Sequence, residues 1–168
     1  MPKIIENLRS KLIEQARLQI EQAGYSAMTI RSVAKGCGVS VGAVYNYFPS
    51  KEHLAAAFML EDWNRCMERI QIAAGDAQSP STVLRCIYDQ LIAYTTLHSK
   101  MFSDPAAIAG FSGTAGRYHA MLRGCLAKPL RRFCQDDFTA DFVAEALLTW
   151  TVSGKSYEEI AYVVQKLF

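Results

Sequence analysis

A chain of 168 residues is long enough to bury a core of its own, as one domain of ordinary size or two small ones. With 51% hydrophobic and 20% charged residues and a net charge of +2, it reads as globular and not disordered. No apolar run approaches the roughly 18 residues of a membrane span, and the charged, amphipathic start MPKIIENLRSKLIEQ lacks the apolar core of a signal peptide, so the expected location is cytoplasmic.

Apolar residues recur at helical spacing over residues 4–23, with Ile5, Leu8, Leu12, Ala16 and Ile20 on one stripe. Gly24, followed by Tyr25, is expected to end this helix. Thr29 is placed to cap a second helix from Ile30 to about Lys35. Gly36-Cys37-Gly38 makes the turn, with Gly38 free to take a positive φ. Ser40 then caps a third helix that ends near Phe48, because Pro49 cannot continue it. Ser50 with Glu52 and His53 opens a long fourth helix from Lys51 to about Ala74, with a break expected over residues 75–78.

Ser79-Pro80 is a start signal for a fifth helix reaching about His98. Ser103-Asp104-Pro105 begins a short segment that ends in the glycine cluster of residues 110–116, which serves either as a mobile gate or as a plain flexible loop. A further helix from about Arg117 is expected to kink or break at Pro129. Thr139 is expected to cap the segment ADFVAEALLTWTV, which Gly154 ends. Ser156-Tyr157-Glu158-Glu159 has the form of a capping box for a last helix to Phe168. Strand alternation, hairpin signals and internal repeats are lacking, so the expected fold class is all-α.

Charge and cysteine usage refine this picture. Seven basic residues (Lys3, Arg9, Lys11, Arg17, Arg31, Lys35, Lys51) stand against four acidic ones (Glu6, Glu14, Glu21, Glu52) up to Ala55. This gives a basic head on a near-neutral body, which suits contact with a polyanion at one end. The five cysteines (Cys37, Cys66, Cys86, Cys125, Cys134) show no zinc spacing, so neither a metal nor a cofactor is expected. Reduced, mostly buried thiols are the plain reading, with a redox-sensing thiol as the alternative.

On a wheel of 100° per residue, Val44 and Phe48 of the third helix point one way, toward Ile30, Val33, Ala34 and Val39. Gly42, Ala43, Asn46 and Tyr47 point the other way. Such a face solubilises poorly but fits a groove, since small residues let the backbone approach and tyrosine hydroxyls reach phosphates. On spacing alone, a helix-turn-helix in a DNA major groove competes with a three-helix packing module in which Tyr45 and Tyr47 cover the core.

The stretch over residues 29–54 resembles the DNA-binding domain of the TetR family of bacterial transcriptional repressors. The matching pieces are Thr29-Ile30, Val33-Ala34, Gly38-Val39-Ser40, Gly42-Ala43-Val44-Tyr45-Asn46-Tyr47-Phe48 and Ser50-Lys51-Glu52-His53-Leu54, and the preceding helix ending in Gly24-Tyr25 agrees as well. The resemblance covers roughly residues 4–60. It implies an N-terminal three-helix DNA-binding domain over residues 1–50 and a helical effector-binding and dimerisation domain over residues 51–168. It places Thr29, Tyr45, Tyr47 and Lys51 at DNA phosphates. Arg31 would read a guanine edge or contact a phosphate. Val41, Gly42, Ala43 and Asn46 face the bases, Asn46 toward adenine and Val41 or Ala43 toward a thymine methyl. Ser40 caps its helix or touches a base.

For the remainder, Trp63, Met67, Tyr88, Tyr94, Met101, Phe102, Phe111, Tyr118 and Met121 are candidate pocket residues, weighed against a role as plain core. Phe138, Phe142, Val143, Ala146, Leu147 and Trp150, with Ile160, Ala161, Val164, Leu167 and Phe168, give the last two helices broad apolar faces. These would form a four-helix interface across a two-fold axis or serve the intrachain core. The expected function is a homodimeric regulator of a double-stranded DNA operator, a repressor released when a small molecule binds its C-terminal domain. The alternative is a DNA-binding regulator whose C-terminal domain only dimerises or holds a protein partner. An enzyme is not expected, since His53, His98 and His119 stand in no triad or metal spacing and no phosphate loop occurs.

Overall fold

A computed structural model describes residues 7–168, and among the described residues the regular structure is α-helix and short 3-10 turns, with no strand. In chain order the helices are α1 (Leu8–Ala23), α2 (Ile30–Cys37), α3 (Val41–Tyr45), α4 (Lys51–Asp76) and α5 (Pro80–Leu97). They continue with α6 (Ser99–Phe102), α7 (Pro105–Phe111), α8 (Ala115–Leu130), α9 (Asp137–Val152) and α10 (Tyr157–Val164). The all-α class expected from the sequence is the class found. The expected start of the first helix, with Ile4 and Ile5, lies outside the described residues, as do Lys3 and Glu6 of the charge balance.

The chain divides into two compact units, one built from residues up to Glu61 with His98–Ser112, the other from Asp62–Leu97 with Gly113–Phe168. In the first, the α1 stripe Leu12, Ala16 and Ile20 is buried together with Ile13. Against it pack Ile30, Val33 and Ala34 of α2, Val44 of α3, and Leu54 and Phe58 of α4. Met101 of α6 and Ala107 of α7 complete the same core. Packing therefore follows a different line from a cut after residue 50, because the first turns of α4 and the α6–α7 segment bury their apolar side chains with α1–α3.

The second unit has its own core. Trp63 and Ile70 of α4 meet Leu84, Ile87 and Leu91 of α5, Leu126 and Leu130 of α8, Val143 and Leu147 of α9, and Ile160 and Val164 of α10. Full burial of one such side chain contributes about 1.5–3 kcal/mol, so either core can hold its helices together.

Several boundaries differ from expectation. Gly75 does not break α4, which continues to Asp76; a lone glycine costs a helix only about 1 kcal/mol, and tertiary packing overrides it. Pro129 sits in the last turn of α8, where the chain tightens into a 3-10 turn over Arg131–Phe133. The cap of α9 is Asp136, not Thr139: its carboxylate accepts from the Thr139 amide at 2.7 Å. α10 gives way to a 3-10 turn over Gln165–Leu167. α6 has no counterpart in the sequence reading. Of the five free cysteines only Cys66 is buried, and the other four are half-buried. Burial pushes the thiols of Cys37, Cys66, Cys86 and Cys134 above their usual range, which keeps them protonated.

Candidate nucleic-acid interface

The α2–α3 turn is fixed by local chemistry. The Thr29 hydroxyl accepts from the Ser32 amide at 3.0 Å while the Ser32 hydroxyl accepts from the Thr29 amide at 3.0 Å, a reciprocal cap on α2. Gly38 takes φ 67° and ψ 32°, the left-handed conformation that ends α2 at no steric cost. The Ser40 hydroxyl accepts from the Ala43 amide at 3.1 Å and starts α3. At five residues, α3 is far too short to be stable as an isolated helix. It is held by Val44, 0% exposed, and by Phe48, 4% exposed, in the core of the first unit.

The opposite face of α3 is open. Tyr45 and Tyr47 are 52% and 48% exposed. Gly42 and Asn46 are exposed as well, with Val41 and Ala43 half-buried at the edge of the core. A Cβ added at Gly42 would meet only the Ser40 hydroxyl oxygen, at 3.9 Å. Nothing inside the chain requires glycine there. Arg31 and Thr29 are exposed at the start of α2.

Lys51 behaves differently from a free surface lysine. It is half-buried, with its Nζ 4.0 Å from the centroid of the Tyr25 ring. Burial lowers its tendency to hold a proton, while Asp104 and Glu52 oppose that effect. The Tyr25 hydroxyl donates to Glu52 Oε1 at 3.0 Å. Burial first, and then this carboxylate, push the Tyr25 phenol well above its ordinary range. Hydrogen bonding from Ser50 leads the causes that hold the Glu52 carboxyl low. The Ser50 hydroxyl also lies 3.0 Å from His53 Nδ1 at the start of α4.

Thr29, Arg31, Ser40, Val41, Gly42, Ala43, Tyr45, Asn46, Tyr47 and Lys51 thus all lie in the first unit, on α2, α3, their caps, the residues just after α3 and the start of α4. The sequence reading missed Ser26, Tyr25 and Asp104 as neighbours of this surface. The Ser26 amide and hydroxyl donate to the Asp104 carboxylate at 2.9 and 2.8 Å. Only the Asp-Pro cap signal at 104–105 pointed toward that contact.

The nine candidate pocket residues fall into separate surroundings. Trp63, Met67 and Tyr94 belong to the core of the second unit, where the Trp63 and Tyr94 rings meet edge-on with centroids 5.5 Å apart. The Trp63 indole N–H is buried without a hydrogen-bond partner among the described residues. Tyr88 packs on Tyr157 and donates to the Lys155 carbonyl at 3.2 Å. Met101 and Phe111 belong to the first unit, Met101 in its core and Phe111 against Tyr25. Phe102, Tyr118 and Met121 are exposed at 47%, 41% and 38%.

The faces of the last two helices also separate. Val143, Leu147, Ile160, Ala161 and Val164 are buried within the chain. Phe138, Phe142 and Trp150 remain 76%, 51% and 51% exposed, at a four-residue spacing along α9 with Ala146 between. Beside them, Glu145 accepts from Thr149 at 2.8 Å and faces His119 Nε2 at 2.9 Å and Arg123 Nη1 at 3.5 Å on α8.

Residues 12–58 match the family described as bacterial regulatory proteins, tetR family. A helix-turn-helix transcriptional regulator of Bacillus subtilis, the uncharacterised YuxN, is 35% identical over 46% of this chain and 27% of its own length. The helix-turn-helix transcriptional repressor KstR of Rhodococcus jostii is 27% identical over 60% of this chain and 51% of its own length. The chain thus spans between about a quarter and a half of the length of these relatives. The crystal structure of the TetR-family repressor AlkX from a Dietzia strain superposes with a TM-score of 0.66 over 94% of this chain and 97% of that one, at 19% identity, a likeness of fold. The matched residues are the ones that build most of α1, all of α2 and α3, and the start of α4, so it is this N-terminal segment that is similar to the tetR family of bacterial regulatory proteins.

Proposed function

We propose that the protein is a DNA-binding transcriptional regulator that acts as a homodimer and places α3 of each subunit in the major groove of an operator. The observation that carries this reading is the open face of α3, where exposed Tyr45, Asn46 and Tyr47 flank a glycine that no internal packing demands. Gly42 lets the backbone approach the base edges, with Val41 and Ala43 at thymine methyls and Asn46 at an adenine edge. The hydroxyls of Thr29, Tyr45 and Tyr47 and the ammonium of Lys51 bind phosphates, and Arg31 adds a base-edge or phosphate contact at the start of α2. Ser40 is used up as the cap of α3 and leaves base reading to its neighbours.

Regulators of this family bind operators and act as dimers. The exposed stripe Phe138, Phe142 and Trp150 on α9 is the surface we assign to the partner subunit. One short recognition helix offers little affinity alone, and two joined by a two-fold axis read two half-sites one helical turn or a multiple apart. We further propose that a small molecule binding the second unit favours a conformation with misplaced recognition helices. That lowers operator affinity by the coupling energy, typically ~1–3 kcal/mol. Trp63, Met67 and Tyr94 are the part of the candidate set best placed to serve that ligand, because they share one surrounding and offer an unused indole N–H.

Selection of duplexes from a random-sequence pool by the wild-type protein tests the DNA-binding reading. Enrichment of a palindromic site is expected, and failure to enrich any sequence contradicts it. A thermal-shift screen of small molecules tests the effector step; a broad set without one stabilising compound favours a second unit that only dimerises or holds a protein partner.

A further inference from the structure

We infer that Asp104 is a positioning residue for DNA contact, locking the α6–α7 segment onto the turn between α1 and α2 so that Tyr25, Glu52 and Lys51 are held in a single arrangement. The inference rests on the reading of α2, α3 and Lys51 as the DNA-contacting surface.

Asp104 is 78 residues away from Ser26 in sequence, yet its carboxylate takes the Ser26 amide on Oδ2 at 2.9 Å and the Ser26 hydroxyl at 2.8 Å. The same carboxylate caps α7, with Oδ1 accepting from Ala106 at 2.9 Å and Ala107 at 3.3 Å. One group therefore orders α7 and ties it to the residue that follows Tyr25. Tyr25 carries the lock forward: its hydroxyl holds Glu52 and its ring face holds the Lys51 ammonium.

Both ends of α7 close on this turn. At the far end, Gly110 lies so near the Tyr25–Glu52 pair that an added Cβ would stand 3.2 Å from Glu52 Cγ and 3.5 Å from the Tyr25 hydroxyl. Phe111 packs its ring on Tyr25 with centroids 6.2 Å apart. From α6, the Lys100 ammonium donates to the Glu21 carbonyl in the last turn of α1. Only Ser112 separates Phe111 from Gly113, the first residue of the second unit's last segment. The lock thus sits on the connection through which the chain leaves the DNA-binding unit, where its release would unfasten Lys51.

Asp104→Asn separates the two jobs of the carboxylate. Asparagine keeps an oxygen that caps α7 as well as aspartate does, but presents an N–H group where the Ser26 amide needs an acceptor. On a duplex selected by the wild type, Asp104→Asn is expected to bind about tenfold more weakly, the scale of one lost charge-assisted hydrogen bond, with helix content and dimer mass unchanged. In a Lys51→Ala background the same substitution is expected to add little, because both act through one contact. Ser26→Ala, which leaves the α7 cap intact, gives a second route to the lock should Asp104→Asn fold poorly, and it is expected to weaken binding in the same direction. Binding within twofold of wild type by Asp104→Asn, or by Ser26→Ala in its place, overturns the lock, as does a loss that adds in full to that of Lys51→Ala. A wild-type protein that selects no duplex overturns the DNA-binding reading itself, and this inference with it.

Discussion

α3 and α9 both leave aromatic side chains in solvent, and the chemistry at their tips differs. On and just after α3 the exposed rings are Tyr45 and Tyr47, each ending in a hydroxyl near glycine, alanine and asparagine. On α9 they are Phe138, Phe142 and Trp150, whose rings offer area and, apart from one indole N–H, nothing to hydrogen-bond. A phosphate backbone rewards the first kind of surface, and another apolar protein face rewards the second. The two helices also differ in support. α9 runs 16 residues with six buried positions, whereas α3 has five residues and one. α3 is thus a presented surface held by its neighbours, and α9 is a structural helix with one stripe left over.

The largest effect should come from breaking the α9 stripe. Phe142→Asp is expected to weaken the dimer by roughly 30-fold or more, the scale of an interface hot spot of about 2 kcal/mol or above. Sedimentation should then report monomers at concentrations where the wild type is dimeric. Leu18→Ser, at an exposed leucine of α1 in the other unit, should leave the dimer unchanged, and equal losses in both would remove the distinction between the two surfaces.

Next come the phosphate contacts. Tyr47→Ala and Lys51→Ala should each weaken duplex binding about tenfold, in line with hydrogen bonds to a charged group, while the dimer stays intact. Salt separates the two. With two or three phosphates neutralised per subunit, the wild-type slope of log K against log salt should be on the order of −4 to −5. Lys51→Ala should flatten it by about one per subunit, and Tyr47→Phe should leave it unchanged, because a hydroxyl releases no counterion.

A smaller effect is expected at the caps. Thr29→Ala removes the acceptor that holds the Ser32 amide and should cost about 1 kcal/mol of stability in denaturant unfolding, while Thr29→Ser should cost little.

The smallest is a pH effect. Hydrogen bonding by Ser26, followed by the amides of Ser26, Ala107 and Ala106, holds the Asp104 carboxyl below its usual range. A carboxyl depressed on folding stabilises fully above its unfolded value, about 3.9 for aspartate, and loses that contribution as pH falls through the lower folded value. The thermal midpoint of the wild type should therefore fall further below pH 4 than that of Asp104→Asn. Parallel curves would mean that Asp104 contributes nothing by ionisation.

The α3 region was largely legible in the sequence because its determinants are local. Thr29, Gly38 and Ser40 act over three or four residues, and the inward pair Val44 and Phe48 follows from the helix period. α9 was less legible. Asp136 and Thr139 are both cap residues three apart, and only the backbone shows that the first is the cap and the second its amide donor. The apolar residues of α9 and α10 could not be sorted by period alone, since Val143 and Leu147 go to the core while Phe138, Phe142 and Trp150 do not. The Asp104–Ser26 contact had half a signature, the Asp-Pro start of α7. The other half is a serine 78 residues earlier, brought there by tertiary packing.

The central claim is that the open face of α3 with Lys51 reads DNA, and it is tested most directly by a dimeric variant blunted at that face alone. Binding of a wild-type-selected duplex is to be compared between wild type and the Tyr47→Ala/Lys51→Ala double variant, with both confirmed dimeric by mass. The account predicts a loss of about 100-fold if the two contacts act independently. Equal affinity in the two proteins would contradict it.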